Sequence, residues 1–167
     1  MPKFKMTTRL AILILALVLT KSVYGQVNDA KIRQQVLEKS LVDSLFVFGK
    51  WTERGQTETH LKYLGEVTMA DGRVFKIMNS CLFWGLSHRA TSRILIYNDK
   101  NQYVGNYALG MTSDLPDRLE NGDLVFTNTD NQGCDKKLVT GVNFRKGLPS
   151  QIFIECKRGY GNSYTFD

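Results

Sequence analysis

At Gly49 the apolar residues of this chain change period. Before it, Ile32, Val36, Leu37, Leu41, Leu45 and Phe48 recur every three or four positions, the spacing that lines one face of a helix. After it, Leu61, Tyr63, Val67 and Met69 alternate with His60, Lys62, Glu66 and Thr68, as in a half-buried strand. One amphipathic stripe followed by many alternating segments leaves few packing solutions, because the stripe has to be buried against something. The spacing predicts a helix over 29–48, with Lys31, Arg33, Gln34, Glu38, Lys39 and Asp43 on its polar face. Asn28 or Asp29 is placed to cap its start, and Gly49 to end it in the left-handed conformation. A sheet is the expected partner of that stripe, in preference to a membrane surface or another protein.

The alternating segments follow one another closely. Ala70-Asp71-Gly72-Arg73 carries an Asp-Gly hairpin signal. The strand after it, 74–84, places Phe75, Ile77, Cys81 and Phe83 on one face and Val74, Lys76, Met78, Ser80, Leu82 and Trp84 on the other. Residues 92–97, 102–109, 123–128, 137–145 and 151–157 bring the number of strands to seven, and 111–121 reads as a loop or a single helical turn. Residues 159–166 read as a contact tail or a last edge strand, with their rings packed on the sheet as the plainer outcome. Short connections favour antiparallel neighbours. The expected class is α+β: an N-terminal helix across a curved antiparallel sheet of about seven strands in meander order. A small barrel plugged by the helix is the alternative.

The start of the chain carries an address. Lys3, Lys5 and Arg9 precede the uncharged run Leu10–Thr20, and Val23-Tyr24-Gly25 offers acceptable residues at the −3 and −1 positions of a cleavage point. That is the pattern of a secretory signal peptide. The apolar run is too short to anchor stably across about 30 Å of hydrocarbon. Residues 1–25 are therefore read as a signal peptide and 26–167 as a single domain beginning at Gln26, with no stable membrane anchor, exported to a periplasm or secreted. The leader also carries much of the charge. The chain has 22 Lys+Arg and 16 Asp+Glu, a net of +6. Four of the basic residues (Lys3, Lys5, Arg9 and Lys21) and no acid lie in 1–25, which leaves 18 against 16 and a net of +2. A domain that binds nucleic acid has a pI above about 9 and clustered Lys/Arg, so no nucleic-acid partner is expected.

Three cysteines in an exported chain imply one disulfide and one thiol. Cys81, Cys134 and Cys156 allow three pairings, and all remain open on sequence. Cys134–Cys156 is preferred, since it ties a polar loop to the last of the seven strands. Closing so short a loop stabilises by roughly 3 kcal/mol in the chain-entropy picture.

Polar chemistry is densest at 84–93, read as a loop. Trp84, Ser87, His88, Arg89 and Arg93 are the candidate ligand-binding residues, because two guanidinium forks with hydroxyls nearby suit a carboxylate or phosphate. The plainer reading is a solvated connection. Cys81 has His60 and His88 as potential partners. A nucleophilic thiol must ionise, however, and the face Cys81 shares with Phe75, Ile77 and Phe83 opposes that. With two histidines and no paired-ligand spacing, no zinc site is expected. Asn128–Gly133 imitates half a calcium loop, but Val139 stands where the twelfth-position acid belongs, so a turn is expected there. No G-x-S-x-G and no glycine-rich phosphate loop occurs.

With no catalytic set and no cofactor implied, the chain reads as a soluble, exported, non-catalytic binding module for a small ligand or a protein partner. A groove lined by Tyr63, Phe75, Tyr103 and Tyr107 is the expected site for such a ligand. Two alternatives belong to other classes: an inhibitor or immunity-type protein that blocks an exported enzyme with a loop or edge strand, and a small hydrolase using the 84–93 loop.

Overall fold

A computed structural model describes residues 29–129 and 133–167. The expected leader 1–25, the expected mature start Gln26, the candidate cap Asn28 and residues 130–132 lie outside the described residues. Helix α1 covers Asp29–Lys39, eleven residues against the twenty expected. Its last turn closes with Ser40 N–H on the Val36 carbonyl at 3.2 Å. Ser40 then turns left-handed (φ 49°), its hydroxyl donating to the Leu37 carbonyl at 2.7 Å. Residues Leu45–Gly49, expected as the last turn of that helix, form strand β1 instead. Phe46, Val47 and Phe48 are β-branched or aromatic and fit a pleated surface better than a helix. The period also changes there: Phe46 and Phe48 turn inward while Leu45 and Val47 stay exposed. Gly49 does adopt the left-handed conformation (φ 76°), but it ends a strand. A side chain at Gly49 would collide with the Thr57 carbonyl.

Strands β2 (Glu58–Thr68), β3 (Val74–Trp84), β4 (Arg89–Asn98) and β5 (Tyr103–Leu109) continue the meander, so the sheet runs β1-β2-β3-β4-β5 with every neighbour antiparallel. A bulge breaks β2 at Leu64, where the register slips between Tyr63 and Gly65, and Gly65 takes up φ 123°. Such an insertion switches the face on which later residues point. Leu61 and Tyr63 therefore meet the helix, while Val67, expected beside them, packs in the opposite core.

The sheet is apolar on both faces. On one, Leu61, Tyr63, Met78, Leu95 and Tyr97 close over Ile32, Val36 and Leu37 of α1. On the other lies a second layer absent from the sequence expectation. It comprises a three-stranded sheet, β6 (Arg118–Glu120), β7 (Asp123–Thr127) and β8 (Val139–Asn143), and a hairpin, β9 (Gln151–Lys157) and β10 (Tyr160–Thr165). Leu124, Phe126, Phe144, Ile152 and Ile154 of this layer meet Ile77, Ile94, Ile96 and Tyr107 of the first sheet. The architecture is thus helix on sheet on sheet, with ten strands among the described residues in place of seven, and the sheets do not close into a barrel. The three added strands are β1, the short β6 and β10, the last settling residues 159–166 as an edge strand.

Chain ends and cross-links fix the second layer. Asn106 and Asp167 exchange backbone hydrogen bonds at 2.8 and 3.0 Å, so the C-terminus covers the free edge of β5. Gly105 makes room for it, since a side chain there would strike the Phe166 ring and the Asp167 carbonyl. Cys134 and Cys156 are joined by a disulfide, the preferred pairing, and Cys81 is a buried free thiol. The Asn128 amide donates to the Asp135 and Glu155 carbonyls at 3.0 and 2.9 Å, tying the end of β7 to both sides of that link. Among the described residues no helix is long and apolar enough to cross a membrane.

Candidate functional site

The residues expected at 84–93 do not share a loop. Gly85–His88 form the β3–β4 turn, and Arg89–Arg93 belong to β4. Trp84 and Arg89 pair across the hairpin. The guanidinium lies 5.8 Å from the indole ring, and the indole N–H donates to Thr91 Oγ1 at 2.9 Å. Arg89 and Arg93 lie on one face four residues apart, about 13 Å along a strand, too far to fork onto one small anion. Ser87 is exposed at the turn. His88 departs from both arginines: its left-handed backbone (φ 52°) delivers the ring to the opposite face, stacked on Phe83 at 4.7 Å and against Trp51 at 4.4 Å. The expected tyrosine groove does not form either. Tyr63 is buried under the helix, Phe75 and Tyr107 in the other core, and Tyr103 is exposed.

What the structure brings together instead is both histidines and the free thiol on one face of the sheet. The register sets His60 opposite Cys81 and Glu58 opposite Phe83. Four aromatic rings run in file: Trp51 on His88, His88 on Phe83, and Phe83 edge-on to His60 at 4.9 Å. Glu58 anchors the file. It accepts His60 Nε2 at 2.6 Å and the Trp51 backbone N–H at 3.2 Å. The His60 hydrogen bond, reinforced by the Trp51 N–H, holds the Glu58 carboxyl below the usual glutamate range. The Cys81 thiol moves the other way. Burial pushes its pKa up against a weak hydrogen bond from Ser92. A thiol that resists ionisation is a poor nucleophile even beside an imidazole, so the arrangement does not supply the active pair that a cysteine hydrolase requires.

Beside this file lies a groove of about 190 Å³. Its floor is His60, Lys62, Asn79, Cys81 and Phe83. Leu45 of the edge strand forms one wall, and Thr112 and Leu115 of the segment after β5 form the other. Two bonds hold that segment down: Asn79 Nδ2 donates to the Pro116 carbonyl at 2.7 Å and Lys62 Nζ to the Asp117 carbonyl at 2.6 Å. Lys62 also pairs with Asp43 at 3.0 Å, so its charge is balanced locally. Asn79 Oδ1 is different. Only 6% of the residue is exposed, yet this oxygen is buried with no hydrogen-bond partner among the described residues. A native buried polar atom left this way needs an explanation, and leaving it unpaired costs about 1–3 kcal/mol.

Sequence reasoning placed His60 and Cys81 on neighbouring strands but passed over Asn79, Lys62 and Leu45. The available signal was Asn79 itself, a polar residue at an inward position of an apolar strand. Among the described residues no cluster of three or more His, Cys, Asp or Glu is arranged to hold a metal ion. Comparison with protein-family models, with curated proteins and with solved structures found no match to this chain.

Proposed function

We propose that this protein is an exported, non-catalytic binding module whose ligand sits in the groove between β1 and the segment 112–117. The observation that carries the reading is the groove itself, mostly apolar in its lining, with Asn79 among its lining residues keeping a buried side-chain oxygen unpaired. Binding sites of small molecules have this composition: an apolar lining with a few fixed polar atoms that await a partner. Two features support export. The start of the chain has the grammar of a cleaved leader, and a disulfide joining Cys134 to Cys156 suits an oxidising compartment. The test is native mass spectrometry of the protein purified from its own source. A mature chain starting at Gln26 and carrying a small molecule is the expected result, and a chain that retains Leu10–Thr20 and carries nothing would overturn the reading.

A second reading has its own observation. Strand β1 is an edge, and Leu41, Val42, Leu45 and Val47 around it are each more than half exposed. An apolar edge without a protecting proline or bulge is a template for another chain's strand, which suits an inhibitor or immunity-type protein. In that case the same mass spectrum would show a bound protein in place of a small molecule.

A further inference from the structure

The chain has two tryptophans, and both lie at one end of the five-stranded sheet. Trp84 ends β3, and Trp51 stands in the connection from β1 to β2. They flank the β3–β4 turn from opposite faces: Trp51 lies against His88 on the Phe83 face, and Trp84 lies on the other beside Arg89. Trp51 Nε1 donates to the Gly85 carbonyl at 2.8 Å and Trp84 Nε1 to Thr91 Oγ1 at 2.9 Å. Indole has no other polar atom, so each ring offers only carbon to what lies outside. Between them, in the turn, Leu86 is 73% exposed, and Trp84 is 39% exposed. The turn that presents Leu86 is braced by the Trp51–Gly85 bond and by the His88 ring held between Trp51 and Phe83. A single exposed leucine needs no explanation, but a braced apolar tip between two tryptophans marks a contact surface.

The charge at this end is positive. Residues 50–58 and 84–93 hold Lys50, Arg54, Arg89 and Arg93 against Glu53 and Glu58, a net of +2, as large as that of all of 26–167. Glu58 is already bonded to His60 and to the Trp51 N–H. Lys50, Arg54 and Arg89 lie in or beside the two connections, and Arg93 stands about 13 Å further along β4. We propose that the β3–β4 turn docks reversibly on an anionic lipid surface. Leu86 enters the acyl boundary, the two indoles lie level with the headgroups, and Lys50, Arg54 and Arg89 meet the phosphates. Size decides against a protein as the partner. A stable protein interface takes about 800 Å² from each side, far more than one leucine and two partly covered rings supply. A lipid surface needs only a few apolar side chains with cations beside them. The contact is reversible rather than an anchor, and it does not depend on what the groove holds.

The experiment follows the tryptophan emission of the intact, disulfide-bonded protein as vesicles are added. One series mixes phosphatidylglycerol with phosphatidylcholine, and the other is phosphatidylcholine alone. Residues 1–28 contain no tryptophan, so the signal comes from the tip and not from the leader. Emission should move to the blue, be quenched by lipids brominated in their acyl chains, and saturate at lower lipid with the anionic vesicles. Leu86→Ser should weaken binding to both series about tenfold, as withdrawing one leucine from hydrocarbon implies. Its melting temperature should match the parent's, because the side chain is exposed. Lys50→Gln should weaken binding to the anionic vesicles about fivefold and leave phosphatidylcholine unaffected. Emission unchanged by either series overturns the proposal, whatever the groove binds. Equal binding to the two series overturns it too, and so does binding that Leu86→Ser leaves intact, which puts the contact elsewhere. A protein that co-purifies with the chain and is lost with Leu86→Ser would make the tip a protein site and overturn it as well.

Discussion

One face of the five-stranded sheet is treated in two ways along its length. Toward the Leu64 bulge it is covered: Ile77, Ile94, Ile96 and Tyr107 are sealed by Phe144, Leu124 and Ile152 of the second layer. Toward the β3–β4 turn the same face is open, and Leu45, Val47, His60 and Phe83 look outward beside the groove. Both halves are rich in apolar and aromatic residues, so composition does not separate them. The difference lies in what crosses above. The second layer ends at the segment 112–117, which Asn79 and Lys62 hold down; beyond it the His88 ring, with Trp51 against it, lies on Phe83, which stays partly exposed. Where apolar surface is sealed it supplies stability, and where it is left open beside an unpaired carbonyl it is available for recognition.

The two halves should differ in the cost of truncation. Phe144→Ala, in the covered half, should lower stability by about 3–5 kcal/mol in urea unfolding, since a large ring leaves a cavity. A cost under about 1 kcal/mol would mean that the second layer does not seal the core. Replacing both cysteines of the 134–156 link by serine should cost about 3 kcal/mol through the unfolded chain, and it tests whether that layer is stapled or simply packed. Alkali should act on the sealed regions next. Burial pushes Tyr97 under the helix up to about 12, and burial raises Tyr107 beneath the second layer further still, both from 10.0. A raised folded pKa means stability that is whole below pH 10 and lost as pH climbs toward 12. A melting temperature that stays level from pH 9.5 to 11.5 would contradict that burial. Smallest of all, Val47→Thr on the open edge should change stability by no more than about 0.5 kcal/mol, and a larger loss would show that the edge is covered after all. The Cys81 thiol sharpens the same contrast. It should react with a disulfide reagent far more slowly than a free cysteine at pH 8, and fully only on unfolding.

Much of the sheet could be read directly. Strands 74–84 and 151–157 lie where alternation placed them, and Phe75, Ile77, Cys81 and Phe83 do share a face, because period two is a geometric property of the strand itself. The helix was overextended for a related reason. Leu41, Leu45 and Phe48 fit a helical stripe by spacing, yet Phe46, Val47 and Phe48 gain more by pairing with β2, a choice made by a strand ten or more residues away. The five residues proposed at 84–93 were adjacent in sequence but divide between two faces, since a hairpin turn sends His88 one way and Arg89 with Arg93 the other. Residues 130–132 of the calcium-like stretch and the expected signal peptide, 1–25, lie outside what the structure describes.

By itself the sequence determined the local order of this protein: an amphipathic helix starting near Asp29, then strands joined by tight turns, and a preference for bridging Cys134 to Cys156. Those follow from spacing and turn chemistry, which act over a few residues. Tertiary structure alone decided that the C-terminal strands fold back as a second layer and stop short of Phe83, because burial of one apolar face against another depends on residues far apart in the chain. The same long-range fit leaves a groove with Asn79 in its lining, and that groove carries the proposed reading.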